Sequence, residues 1–154
     1  MPQPLRHVYQ LYIRTTPEQL WQALTDPALT KLYFYGSAIE SNLKPGGPLN
    51  RRRADGSFML EGEVLEIDPP RRLVHSFIVS HRKSEDRDPP SRVTWEIEPM
   101  GEVCRLTLTH EHYAGVTETS RGTLTGWNPV LSGLKTLLET GLPLEITFPQ
   151  GEEA

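Results

Sequence analysis

GWNPVLSGLKTLLETG, residues 126–141, carries the longest helical pattern in the chain. Trp127, Val130, Leu131, Leu134, Leu137 and Leu138 recur at spacings of three and four, so one face is apolar. Asn128, Ser132, Lys135, Thr136 and Glu139 fall largely on the other. Gly141 followed by Pro143 is a stop signal, because glycine takes the left-handed cap and proline cannot continue a helix. A helix with one apolar face needs a surface to cover it, and the rest of the chain reads as strands. The helix is either purely a core element or also one wall of a ligand cavity.

The segments just before it alternate. Val103–His112 (VCRLTLTHEH) puts Cys104, Leu106, Leu108, His110 and His112 on one face. Arg92–Glu98 (RVTWEIE) turns Val93, Trp95 and Ile97 inward, and Arg72–Ser80 (RLVHSFIVS) does the same with Leu73, His75, Phe77 and Val79. Between them, His81–Pro90 (HRKSEDRDPP) is charged and free of apolar residues, which predicts a mobile exposed loop. Further back, Leu49–Arg53 and Ser57–Ile67 flank Ala54-Asp55-Gly56, a hairpin signal. Gly36–Leu43 is a weak strand, and Lys44–Pro48 (KPGGP) a turn.

His7–Arg14 alternates as a first strand, with Tyr9, Leu11 and Ile13 on one side. Thr16-Pro17 then opens a helix as N-cap and first position, with Gln19 placed as in a capping box. Its apolar face is Leu20, Trp21 and Leu24. Asp26-Pro27 ends it and caps a short helix over Ala28–Tyr33. The pattern predicts an α+β fold of six or seven antiparallel strands, two short N-terminal helices and one long C-terminal helix.

Composition narrows the functional classes. The 154 residues suit one domain, with its core over about residues 7–140. A net charge of −4 argues against a nucleic-acid partner, which would require a basic face. Arg51–Arg53 is the one basic cluster, and it reads as a solvated strand end. Cys104 is the lone cysteine, so no internal disulfide forms. The first ten residues are polar, and no apolar run approaches the ~20 residues of a membrane span. A cytoplasmic protein, monomer or homodimer, is expected.

Five stretches together carry a family resemblance: PEQLWQALTDPALTKLYF, KPGGPL, GEVLEIDPPRRLVHSF, RLTLTHEHY and GWNPVLSGLKTLLE. In this order they resemble bacterial relatives of the C-terminal domain of the Hsp90 ATPase activator, across about residues 7–140. That group sits in the START-like (SRPBCC) helix-grip superfamily, with the polyketide cyclases and the birch pollen allergen family. The resemblance implies a curved antiparallel sheet gripping the C-terminal helix, with a hydrophobic cavity between them. It also implies two partners to weigh: an apolar small molecule in the cavity, or a chaperone of the Hsp90 type. One departure is Pro129, two residues after Trp127. Either the helix starts afresh there, with Asn128 as cap, or it kinks.

The candidate chemistry is sparse. His110 and His112 share a strand face, but a metal site needs further ligands and no third is spaced to supply one, so no metal or cofactor is expected. His110 reads instead as a hydrogen-bonded cavity histidine and His112 as a strand-end surface residue. His75, between Leu73 and Phe77, needs a polar partner, either a ligand or another cavity residue. Cys104 reads as a buried structural thiol. Nucleophile, nucleotide-loop and paired-cysteine motifs are missing, so no catalytic residue is assigned. A cyclase- or hydrolase-like use of His75 or His110 is the remaining enzymatic reading. The expected cavity wall comprises Trp21, Tyr33, Tyr35, Phe77, Trp95 and Trp127, with Leu108, Leu131 and Leu134 beside them and His75 or His110 as the polar contact.

Overall fold

Period-two alternation builds most of the molecule. The computed structural model describes residues 5–80 and 87–149. Strand β1 (His7–Ile13) turns its odd-numbered residues toward the core and ends on fully buried Ile13. Helix α1 (Pro17–Thr25) starts as the sequence predicts, with the Thr16 hydroxyl accepting from the Gln19 backbone N–H at 3.2 Å. The Gln19 side chain does not complete a capping box. Its Oε1 instead accepts from the Thr15 hydroxyl, also at 3.2 Å. Asp26 ends α1 and caps α2 (Pro27–Thr30), where its carboxylate accepts from the Ala28 N–H at 2.9 Å.

Six of the remaining strands are β2 (Ala38–Ser41), β3 (Leu49–Arg52), β4 (Phe58–Glu61), β5 (Val64–Asp68), β6 (Arg72–Val79) and β7 (Ser91–Met100). The eighth is β8 (Val103–Glu111). They form one antiparallel sheet in the order β1-β8-β7-β6-β4-β3-β2, with β5 also paired to β6. The eighth strand arises because the expected run Ser57–Ile67 breaks at Gly62-Glu63. A Cβ on Gly62 would lie 2.1 Å from the Ser76 carbonyl oxygen, so the crossing of these strands requires glycine there.

Register places side chains in rows across the inner face. Leu73, Trp95 and Leu108 stand side by side on β6, β7 and β8. One step along, His75, Val93 and His110 form the next row. His112 leaves this pattern: its φ of +62° ends the strand, and its side chain is exposed.

Helix α3 (Glu118–Thr140) is longer than the quoted stretch. It begins at a capping box formed by Thr117 and Ser120 and closes on Gly141, whose left-handed backbone sends its N–H to the Leu137 carbonyl at 2.8 Å. Pro129 therefore neither starts the helix nor ends it. Its missing N–H orphans the Thr125 carbonyl, and Thr125 lies on the exposed face where water can serve. Gly133 lets α3 seat against Tyr33, since a Cβ there would lie 3.1 Å from Tyr33 Cβ. Ile13, Leu20, Trp95, Leu108, Val130 and Leu134 belong to one continuous buried cluster.

Of the predicted mobile loop, residues 81–86 lie outside the described residues. The end that is described is tied down. Arg87 pairs with Glu61 at 2.9 Å, and the Asp88 carboxylate accepts from the Thr119 N–H at 3.0 Å at the start of α3.

Candidate functional site

The first half of α3 carries small residues where the second half carries large ones. Thr119, Gly122, Thr123 and Gly126 recur at helical spacing and leave a gap against the sheet. The gap is a groove of about 230 Å³. Phe34 and Tyr35 wall it from the α2–β2 connection, Met59 and Leu60 from β4, Phe77 and Val79 from β6. Trp127 and Val130 close the inner end, while Arg53 and exposed Glu118 stand at the rim. The Tyr35 hydroxyl donates to the Gly126 carbonyl and ties this wall to the helix. Partial burial pushes that phenol up to about 12.

Trp127 is the hub of the aromatic packing behind the groove. The rings of Phe34 and Trp95 meet it edge-on at 5.7 and 5.6 Å. Its indole N–H donates to His110 Nδ1 at 3.0 Å. An indole nitrogen only donates, so the His110 proton sits on Nε2, which faces the Ser91 hydroxyl at 2.7 Å. Ser91 passes its own proton on to the Phe77 carbonyl at 3.3 Å.

A second relay runs beside the first. The Trp95 N–H donates to His75 Nε2 at 3.1 Å, and His75 Nδ1 donates to the Ser76 carbonyl at 2.9 Å. Both imidazoles are thus held neutral, each in one tautomer. Burial lowers His75 to about 4 and His110 to about 3. As arranged, neither histidine presents a free ring nitrogen to the groove. Among the described residues, no group of three His, Cys, Asp or Glu side chains is placed to hold a metal.

The sequence reading missed one residue here. Arg51 is not a solvated strand end: it is 3% exposed, on the inner face of β3. Arg52 keeps the outward role, paired to Glu40 at 2.8 Å, while Arg53 stands at the groove rim. The Arg51 guanidinium stacks on the Phe34 ring at 4.0 Å, and its Nη1 has no hydrogen-bond partner among the described residues. Burial pulls its pKa down, against a smaller upward pull from Tyr33. The signal for this was present, because Leu49 and Arg51 are two apart and share the face that Leu49 buries.

The expected wall residues divide. Tyr35, Phe77 and Trp127 line the groove, and His75 lines a small void behind it. Trp95, Leu108, His110, Leu131 and Leu134 do not line it, because they are packed in the core beyond Trp127. Tyr33 is buried with its hydroxyl on the Ala23 carbonyl at 2.8 Å, and Trp21 packs against the outer side of the core. Cys104 is buried, with its thiol toward the Thr15 carbonyl at 3.4 Å. Burial raises the pKa of that thiol.

A long C-terminal helix held across an antiparallel sheet, with a groove between them, defines the helix-grip class. Within it, the family of the Activator of Hsp90 ATPase homolog 1-like protein matches residues 14–139, and the chain belongs to that family. Among the solved structures that share the fold, three illustrate it. Protein MLL2253 from Mesorhizobium loti is 24% identical, with 87% of this chain and 96% of that one covered and a TM-score of 0.73. The Aha1 dimer from Colwellia psychrerythraea is 20% identical over 89% and 98%, with a TM-score of 0.72. PFC0360w, an HSP90 activator from Plasmodium falciparum, is 24% identical over 86% and 95%, with a TM-score of 0.71. At these identities the likeness concerns the fold alone. No curated protein matches the chain significantly. Among the described residues, no helix is long and apolar enough to cross a membrane.

Proposed function

We propose that the protein binds an apolar or aromatic small molecule in the groove between the first half of α3 and the sheet, as a cytoplasmic binding protein. The observation that carries this reading is a gap of about 230 Å³ walled by Phe34, Tyr35, Met59, Phe77 and Trp127. Apolar concavities with a few polar groups are the usual small-molecule sites, and drug-sized ligands occupy about 300–1,000 Å³. A ligand of one or two rings fits the smaller volume. The test is calorimetric titration with 2-naphthalenemethanol. Saturable binding is expected, and Gly122→Phe, which puts a ring into the gap, should abolish it while far-ultraviolet circular dichroism stays unchanged. Undiminished binding in that variant would place the ligand elsewhere and end this reading.

A second reading, action on an Hsp90-type chaperone, draws on the family's description, on one structural neighbour named as an HSP90 activator, and on exposed Val116 and Leu124 near the groove. It predicts stimulation of a chaperone ATPase that Leu124→Glu weakens and Gly122→Phe spares. Under either reading the chain is a monomer or a homodimer, which sedimentation equilibrium would decide.

A further inference from the structure

Behind the groove lies a void of about 10 Å³, lined by Arg51, His75 and Glu61 among others. It shares Phe34, Leu60, Phe77 and Trp127 with the groove, so the two adjoin. Its polar groups are nearly all engaged. His75 uses both ring nitrogens on Trp95 and Ser76. Glu61 Oε2 is taken by Arg87 at 2.9 Å and by the Ser80 hydroxyl at 2.9 Å. Arg51 is the exception. It is almost wholly buried, and among the described residues no carboxylate pairs with it and Nη1 has no acceptor. Phe34 offers that guanidinium the face of a ring, which attracts a cation but accepts no N–H in its plane. A buried charge ordinarily has a counter-charge and a full set of hydrogen bonds.

We infer that the groove's ligand is an organic anion, an apolar body of one or two rings bearing a carboxylate whose oxygen docks on Arg51. This rests on the small-molecule reading above. A void of that size holds about one water-sized atom. One carboxylate oxygen fills it, and the rest of the ligand lies in the groove. The ligand's charge then completes an ion pair that the described residues leave open.

Two probes of one shape test this: 2-naphthoate and neutral 2-naphthalenemethanol, titrated calorimetrically at pH 7.5. Naphthoate should bind at least about tenfold tighter, the scale of one charge-assisted hydrogen bond in a dry site. Arg51→Met should erase that preference, leave the alcohol's affinity within about twofold, and raise the melting temperature by removing an uncompensated charge. Arg51→Lys, which keeps the charge without the fork, should retain part of the preference, and it serves if the Met variant does not fold. Arg53→Met, which removes the cation at the groove rim, should leave naphthoate preferred over the alcohol. Equal affinities in the unmodified protein, or a preference lost with Arg53 rather than Arg51, would overturn the inference and leave the groove reading intact. Failure of both probes to bind would overturn both.

Discussion

From Glu118 to Gly126, α3 turns Thr119, Gly122, Thr123 and Gly126 toward the sheet; from Trp127 to Leu137 it turns Trp127, Val130, Leu131, Leu134 and Leu137. Backbone and sheet are shared, and only side-chain size differs. The second half is filled solid, with Leu134 and Leu108 fully buried. The first half leaves a groove. A helix-grip cavity is here a matter of which turn of the helix carries the small residues. Stability belongs to one half and the proposed ligand to the other, so a substitution can be aimed at either.

The largest expected effect lies in the filled half. Leu134→Ala should cost about 2–5 kcal/mol in urea denaturation, because the side chain is fully buried and its neighbours cannot collapse onto the gap. A loss below about 0.5 kcal/mol would mean that the second half of α3 is not the core, and the contrast between the halves would fail.

Next in size is a dependence on pH, set by the two Trp–His relays at the boundary between the halves. The folded-state values of His75 and His110, about 4 and about 3, lie below the ordinary 6.5. Between these limits the unfolded chain binds more protons than the folded one, so stability is complete above pH 6.5 and is lost as pH falls. One unit below 6.5, two such groups together cost about 3 kcal/mol. Denaturation at pH 7.5 and 5.5 should therefore differ by about that amount. In His110→Gln, whose amide oxygen can still accept from Trp127, the difference should shrink by about half. An unchanged difference would mean that His110 is not held neutral.

Much of this was legible in the sequence. Alternation at Val93, Trp95 and Ile97 and the helical period from Trp127 to Leu138 depend on local spacing, which two elements facing one core must obey, and both hold in the structure. The position of the groove was not legible, because the apolar stripe drew attention to its filled end. Thr119, Gly122, Thr123 and Gly126 form no hydrophobic pattern, and Pro129 disguised the helix that contains them. Arg51 was missed for a related reason: three consecutive arginines look like a charged surface unless strand parity is applied through them. The break at Gly62 depends on how closely Ser76 approaches, and only the fold decides that contact.

The smallest expected effect is the sharpest comparison, because one substitution should change sign between the halves. Gly122 and Gly133 both lie inside α3, where replacing glycine by alanine gains about 0.5–1 kcal/mol from lost freedom in the unfolded chain. At Gly122 a Cβ meets nothing within 4 Å, so Gly122→Ala should realise that gain. Its methyl projects into the groove and should weaken 2-naphthalenemethanol only modestly, unlike the ring of Gly122→Phe. At Gly133 a Cβ would lie 3.1 Å from Tyr33 Cβ, an atom held by its own backbone and by the hydroxyl's bond to Ala23. The helix must then lift off Tyr33, and overpacking of this kind costs about 1–3 kcal/mol. Gly133→Ala should therefore come out destabilised by roughly 0.5–2 kcal/mol after the helical gain is counted. Equal shifts of one sign in the two variants would mean that α3 sits no closer to its neighbours at Gly133 than at Gly122, and the division of the helix into a filled half and an open one would collapse.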